Sequence, residues 1–541
     1  MTRAYPWVAF LLFCAIALLP IATLIAITFV DQDGTVTTEF YQVYLSGTLW
    51  VLLYKSLIIA GGTTLLCLMV GVPLGILIGR TTLWLKPVWA ALLVVPLLVP
   101  PYMMTICWFY LLTPESWINQ ALLPTFGIGA LNFHSLDGFP GCIFSETLSY
   151  YPLIALLTWL GVRLPDPGFE EAGRLSVPPW SAFRKLTMPV AAPFILTGAV
   201  FVFFFSLINY SVPYQFSIGG IFISEIHSQF QAHHNNAQAA SLTLPFLLGS
   251  VCLLWAERRT LKRHRSAVRS ESIASPTLLV LGPWQAAAQV GVLLVTGLST
   301  LGPLAVLVWM AWPFDQMGNA IESCRPEIIN TLLLSVLAAC LTLLLAAGVA
   351  AGARRAGRAA RVMDFTALLP LAFPPMSLGI AMILVWNRST LFGMEGEWIG
   401  HVSDLVYGSI LIMVFVMVGR CFPFVMRPVL YGLGSLDPGL QEAARMEGAG
   451  PARTFFGITL PLTWRSFAIA WFLAFLFAMG EYDAIHLVQQ AGNAMLAPRI
   501  IGSFHNYRHD IVSNTSLVMI AVIVFPVLIY LLIPKKAERK A

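Results

Sequence analysis

Asp437-Pro438-Gly439-Leu440-Gln441-Glu442-Ala443 closely repeats a stretch 271 residues earlier, Asp166-Pro167-Gly168-Phe169-Glu170-Glu171-Ala172. Pro370-Leu371-Ala372-Phe373-Pro374-Pro375 echoes Pro96-Leu97-Leu98-Val99-Pro100-Pro101 at a shift of 274, and Arg354 stands to Arg80 at the same shift. Pro461 and Tyr482 stand to Pro189 and Tyr210 at 272. Matches whose offsets agree to within three residues, near half the length, make the chain an internal duplication.

What is duplicated follows from composition. The chain has 541 residues, 58% hydrophobic and 11% charged, with mean hydropathy +0.79. Soluble domains carry roughly 25% charged residues, so this composition excludes a soluble enzyme, a disordered chain and an ordinary nucleic-acid binder. The net charge of +5 is small, and its placement matters more than its size. Long apolar runs predict twelve membrane spans. The first half supplies 7–30, 50–79, 88–112, 140–162, 187–208 and 237–256. The second supplies 284–312, 328–352, 364–386, 405–427, 462–485 and 513–533. The period-two alternation of barrel strands is absent. The first run, Trp7 to Val30, exceeds a signal-peptide core and lacks a small-x-small site before Asp31, so it reads as an uncleaved helix.

Most of the 31 Lys and Arg fall at the two termini and in every second loop, while the 26 acidic residues lean to the other side. The positive-inside rule makes the basic side, with both termini, cytoplasmic. The densest basic run, Arg258 to Arg269, becomes a solvated cytoplasmic linker rather than a nucleic-acid patch. Six spans is an even number, so both halves enter the membrane in the same sense. The expected fold is therefore all-α, two parallel six-helix repeats with a pathway between them.

The two Asp-Pro-Gly segments lie in the longest cytoplasmic loop of each half. Asp166 and Asp437 suit a helix N-cap, Pro167 and Pro438 the first helical position, and Glu171 and Glu442 the early turns. Gly448 to Pro451 should break the helix in the second half, and Pro178-Pro179 in the first. A second short stretch is expected from Trp180 to Met188 and from Ala452 to Leu460, ended by Pro189 and Pro461.

The second segment, Glu442-Ala443-Ala444, then Gly448, then Ile458-Thr459-Leu460-Pro461, resembles the EAA loop of ABC importer permeases, E-A-A-x3-G-x9-I-x-L-P. The first copy departs from it: Glu171-Ala172-Gly173, no glycine at the matching place, one residue fewer, then Leu186-Thr187-Met188-Pro189. The resemblance spans both halves. It implies permease halves at 1–256 and 284–541, with cores near 52–256 and 328–531 and a basic linker at 257–283. It implies coupling helices that dock on two copies of a separate ATPase subunit, a solute-binding protein outside the membrane, and a place in the inner membrane bilayer. ATP and magnesium would bind the partner, and this chain would hold no cofactor and no catalytic residue. No G-x4-G-K-[ST] occurs, and the only Lys-Ser pair, Lys55-Ser56, lacks glycines.

A fused permease resembles the ferric-iron importers most. Asn209-Tyr210-Ser211-Val212-Pro213-Tyr214, with Glu225-Ile226 and Gln229-Phe230, and Arg499 to Tyr507 look like that branch. Thiamine and aminoethylphosphonate permeases share the fused design and stay open as alternatives. A secondary carrier is the alternative class. A proton-coupled carrier would be expected to carry a carboxylate or His near the midplane, whereas Lys55, Arg420, Arg427, Glu481 and Asp483 lie near predicted span ends. A membrane-embedded enzyme would need convergent catalytic groups, and His505, His509 and Asp510 form the nearest cluster to that.

Candidate pathway residues are Asn209, Tyr210 and Ser211 with Glu481, Tyr482 and Asp483, polar groups at the outer ends of the fifth spans; interfacial anchoring by Tyr explains them equally well. The Pro100-Pro101 and Pro374-Pro375 pairs should break the third spans, either lining a cavity or only kinking. Most histidines fall in outer loops and read as solvated, with no expected metal site. The eight cysteines form no CxxC. Cys142 and Cys324 alone lie toward the outer side, and their pairing stays open.

Overall fold

The computed structural model describes residues 4–29, 41, 44, 47–111, 120, 123–125, 138–165, 175, 177–263, 278–354, 357–387, 390–391, 394–395 and 397–532. Along the first half run α1 (Tyr5–Ile27), α2 (Gly47–Arg80), α3 (Lys86–Leu98), α4 (Pro101–Leu111), α5 (Phe139–Arg163) and α6 (Trp180–Ile208). The short α7 (Ser211–Gln215) and α8 (Phe222–Gln231) lead into α9 (Asn236–Arg263). The second half holds α10 (Gly282–Ala311), α11 (Arg325–Ala353), α12 (Arg358–Ala372), α13 (Pro375–Trp386) and α14 (Leu411–Gly434). Then come α15 (Pro438–Met446), α16 (Pro451–Gly480), α17 (Ile485–Val488), α18 (Leu496–His505) and α19 (His509–Leu532). The strands Thr390–Leu391 and Met394–Glu395 pair antiparallel.

Among the described residues seven helices are long and apolar enough to cross a membrane, and two bent pairs raise that to nine. The remaining expected spans coincide with α5, α9 and α19, which are helical but less uniformly apolar or shorter. The bent pairs fall on the double prolines. α3 and α4 meet at 97°, α12 and α13 at 104°. A residue before proline is driven out of the helical region. Val99 and Phe373 accordingly take extended ψ values of 126° and 137°.

Pro189 and Pro461 do not end their helices, contrary to the sequence expectation. Both segments pass through a π-turn, Phe183–Thr187 and Phe455–Thr459, and continue as α6 and α16. Two more π-turns, Cys14–Leu18 and Gly297–Leu301, precede Pro20 and Pro303 in the same way. The cause is steric. A proline ring strikes the carbonyl four residues earlier, and at each site that residue (Ile16, Lys185, Ser299, Gly457) lies inside the widened turn. The clash is absorbed without breaking the span.

Two compact units emerge, and neither is a sequence half. One comprises 1–49, 222–251 and 323–499; the other comprises 50–221, 252–322 and 500–541. In the first unit α11 packs against α14, α16 and α1. Gly348 and Gly352 leave room for α1: a Cβ at Gly348 would overlap Ala9, and one at Gly352 would crowd Pro6. Tyr5 Oη donates to the Leu344 carbonyl at 2.6 Å. In the second unit α2 lies against α5, and a Cβ at Gly75 would stand 2.5 Å from the Ala155 carbonyl. Small residues at four-residue spacing bring apolar helices to backbone distance where lipid supplies no hydrophobic drive.

Candidate coupling segment and outer polar turns

The second candidate coupling segment is fully laid out by local chemistry. Asp437 caps α15: its Oδ1 accepts the Gly439 N–H at 2.9 Å, satisfying a donor with no partner inside the helix. The far end closes with a left-handed Gly448, φ +79°. There the Ala449 N–H reaches back to the Ala444 carbonyl at 2.9 Å. That six-to-one bond is a Schellman cap, and it gives the glycine four residues after Ala444 its physical reason. A new helix starts at Pro451. The predicted interruption between Gly448 and Pro451 is present.

α15 rests on the foot of α16 through residues 451–459. Ala444 is half-buried. Leu440, Glu442, Ala443 and Met446 are exposed, Met446 to 90%. Phe456 on the adjoining π-turn is also exposed. The result is a short helix fixed at both ends that presents apolar side chains beside a carboxylate. Asp166, Glu171 and Ala172 of the first copy lie outside the described residues. Pro189 sits at the start of the α-helical part of α6, as Pro461 does in α16.

The candidate pathway residues form two copies of one turn. Asn209 and Glu481 end α6 and α16 with extended ψ values of 124° and 119°. Asn209 Oδ1 accepts the Val212 N–H at 3.2 Å, and Glu481 Oε1 accepts the Ala484 N–H at 3.1 Å. Each side chain thus caps the next short helix three residues on. Tyr210 stacks on Tyr214 with centroids 5.2 Å apart, and Tyr482 on His486 at 4.9 Å, again equivalent pairs. Asn209, Tyr210, Ser211, Glu481, Tyr482 and Asp483 are all buried.

The second-half turn adds charge. Arg420 Nε reaches Glu481 Oε2 at 3.4 Å, with both side chains largely buried. The His227 and His486 rings lie 5.5 Å apart. Burial, and then His227, push the His486 imidazole down to about 4. The sequence placed Arg420 only near a span end; its pairing with Glu481 needed the packing of α14 on α16. His505 and His509 are exposed, and His509 Nδ1 lies 2.5 Å from Tyr110 Oη. Among the described residues no group of three or more His, Cys, Asp or Glu is arranged to hold a metal. Cys142 and Cys324 are free thiols, both buried.

One residue escaped the sequence reading. Glu146 lies inside the expected span 140–162 and is fully buried. The expectation that carboxylates keep to span ends therefore fails in α5. The signal was present in the polar run Ser145-Glu146-Thr147 within an apolar stretch, which also lowers the apolarity of α5.

Residues 71–266 and 344–537 both match the family model of the binding-protein-dependent transport system inner membrane component. The chain belongs to this family. It is a permease of ABC importers, with the family domain present twice, and a multi-pass inner-membrane protein. The permease is 22% identical over 488 residues to the putative ferric transport system permease protein FbpB 1 of Haemophilus influenzae, covering 84% of this chain and 73% of that one. It is 22% identical to the ferric transport system permease protein FbpB of Actinobacillus pleuropneumoniae, covering 80% and 64%. It is 32% identical over 124 residues to the molybdenum transport system permease protein ModB of Escherichia coli, covering 23% and 53%.

Proposed function

We propose that this permease imports ferric iron, using ATP hydrolysed by two copies of a separate ATPase subunit and solute delivered by an extracytoplasmic binding protein. ATP and magnesium belong to the ATPase. The permease crosses the membrane twelve times with both termini in the cytoplasm, and the solute passes between its two halves. Glu442, Ala443, Ala444 and their capping residues Asp437 and Gly448 form the second coupling helix. Asp166, Glu171 and Ala172 are assigned to the first coupling segment, and Pro189 and Pro461 follow the π-turns at the feet of α6 and α16.

The observation that carries coupling is α15: a helix capped at both ends, seated on the foot of α16, with Leu440, Glu442, Ala443 and Met446 turned outward. A rigid exposed helix at the root of a span can transmit the movement of a docked partner along that span. Iron is supported by the two ferric permeases that align over most of the chain. Asn209, Tyr210, Glu481, Tyr482 and Asp483 are assigned to the outer end of the pathway.

The test is purification of tagged permease from its own membrane in mild detergent. An ATPase subunit and a binding protein should co-purify, and uptake in proteoliposomes should require ATP and ferric ion. Intact permease that recovers no ATPase and supports ion-coupled uptake would replace this reading with a secondary carrier.

A further inference from the structure

The transport reading does not use Glu146. It lies in the interior of α5, and its described contacts come from hydroxyls on two other helices. Thr63 Oγ1 of α2 donates to Oε2 at 3.2 Å, and Ser206 Oγ of α6 donates to the same oxygen. Cys142 stands one turn before it on α5, and the Cys67 thiol of α2 donates to the neighbouring Thr147 carbonyl at 3.6 Å. One carboxyl oxygen therefore ties three helices. An ionisable side chain within a membrane span is costly to bury and marks function more often than packing.

The duplication supplies an internal control. Gly161, Pro152 and Asp166 correspond to Gly432, Pro423 and Asp437 at a shift of 271, so Glu146 corresponds to Met417. Ser206 corresponds to Ala478 at the 272 shift of its helix. Met417 and Ala478 are fully buried and apolar. At these two positions the same helix pair thus closes in the second half with apolar side chains, its own carboxylate, Glu481, lying at the span end, so the packing of the repeat does not need a carboxyl here. In the first half the contact leads to the outer turn. Ser206 lies one turn before Asn209, whose Nδ2 donates to Tyr150 Oη at 2.9 Å, one turn beyond Glu146 on α5. Two rungs, Glu146–Ser206 and Tyr150–Asn209, fix the end of α6 and hence the cap of α7.

We propose that Glu146 is a positioning residue of transport: by accepting hydroxyl hydrogen bonds from α2 and α6 it sets where α6 ends and where Asn209 and Tyr210 stand. This rests on the importer reading. ATP-dependent uptake by the wild-type complex tests that reading first, independently of any Glu146 variant.

The decisive variants are Glu146→Gln, which keeps an acceptor oxygen, and Glu146→Met, which copies the second half. Each is purified with its ATPase and assayed for uptake from pH 6 to 8, basal ATPase rate and amount of assembled complex. Glu146→Gln should stay within about twofold of wild type with the same pH profile, and Glu146→Met should lose uptake by about tenfold or more, the scale of losing two hydrogen bonds. Assembly and basal ATPase rate should hold in both. Uptake retained in Glu146→Met overturns the proposal. So does Glu146→Gln failing as badly as Met, since charge rather than hydrogen bonding would then matter. If Glu146→Met does not assemble, Ser206→Ala and Ser206→Thr decide: loss in Ala with retention in Thr supports the proposal, and equal behaviour overturns it.

Discussion

The two halves end their fifth spans with the same turn and different chemistry. In the first half a neutral Asn209 caps α7 and binds Tyr150. In the second a carboxylate, Glu481, does the capping and takes Arg420 as its counter-ion. Arg420 stands where the first half has Ser149, at the 271 shift. The first half keeps its buried carboxyl elsewhere, at Glu146, satisfied by hydroxyls. A duplication can thus hold backbone geometry fixed while each copy changes how the same ends are fastened. The capping geometry is shared; the electrostatics belong to each half.

The largest expected difference between the halves is in coupling. Glu442→Lys puts a cation on the exposed face of α15 and should abolish uptake and substrate-stimulated ATP hydrolysis, leaving the permease inserted. Glu171→Lys should do so more weakly, because the first copy lacks the glycine that closes the helix. Wild-type stimulated hydrolysis in a purified Glu442→Lys complex would remove the coupling assignment.

The outer turns come next. Arg420→Met leaves Glu481 buried without its cation and should cost about 3 kcal/mol. Arg420→Met with Glu481→Met should recover most of it, because an apolar pair avoids the desolvation cost. Asn209→Ala removes a neutral cap and the hydrogen bond to Tyr150, each worth about 1 kcal/mol. Thermal unfolding of the detergent-purified protein orders the three; equal losses for Arg420→Met and Asn209→Ala would erase the proposed contrast.

Acid should separate the turns too. The unfolded His486 takes a proton near 6.5, the folded one only at about 4. Between those values the unfolded state binds more protons, so stability falls as pH drops through that window, by at most about 3 kcal/mol. His486→Phe preserves the stack on Tyr482 and should flatten this slope. An unchanged slope from pH 7 to 4 would show that other groups carry it. The smallest effect is Gly448→Ala, about 1 kcal/mol of strain at a left-handed position, visible as faster amide exchange in the last turn of α15.

Much of this was legible in the chain. The repeat, the broken third spans at the double prolines and the interruption after Gly448 follow from proline and glycine sterics, which act locally. Three features were not. Pro189 and Pro461 read as helix ends because sequence shows the clash, not the π-turn that absorbs it. Each compact unit joins segments from both sequence halves, since Gly348 and Gly352 receive α1 through contacts more than three hundred residues apart in sequence. Glu146 was hidden by its apolar setting, and its partners sit on two other helices.

The central claim is that α15 is the surface through which a partner ATPase drives the second half. The direct measurement places a photoreactive amino acid at Met446, 90% exposed on that helix, and at Tyr507, exposed beyond the end of α18, in the assembled complex. Light should join position 446 to the ATPase subunit, less so in Glu442→Lys, and position 507 should give no such product. An intact complex that yields no ATPase adduct from 446, or equal adducts from both positions, would contradict the account.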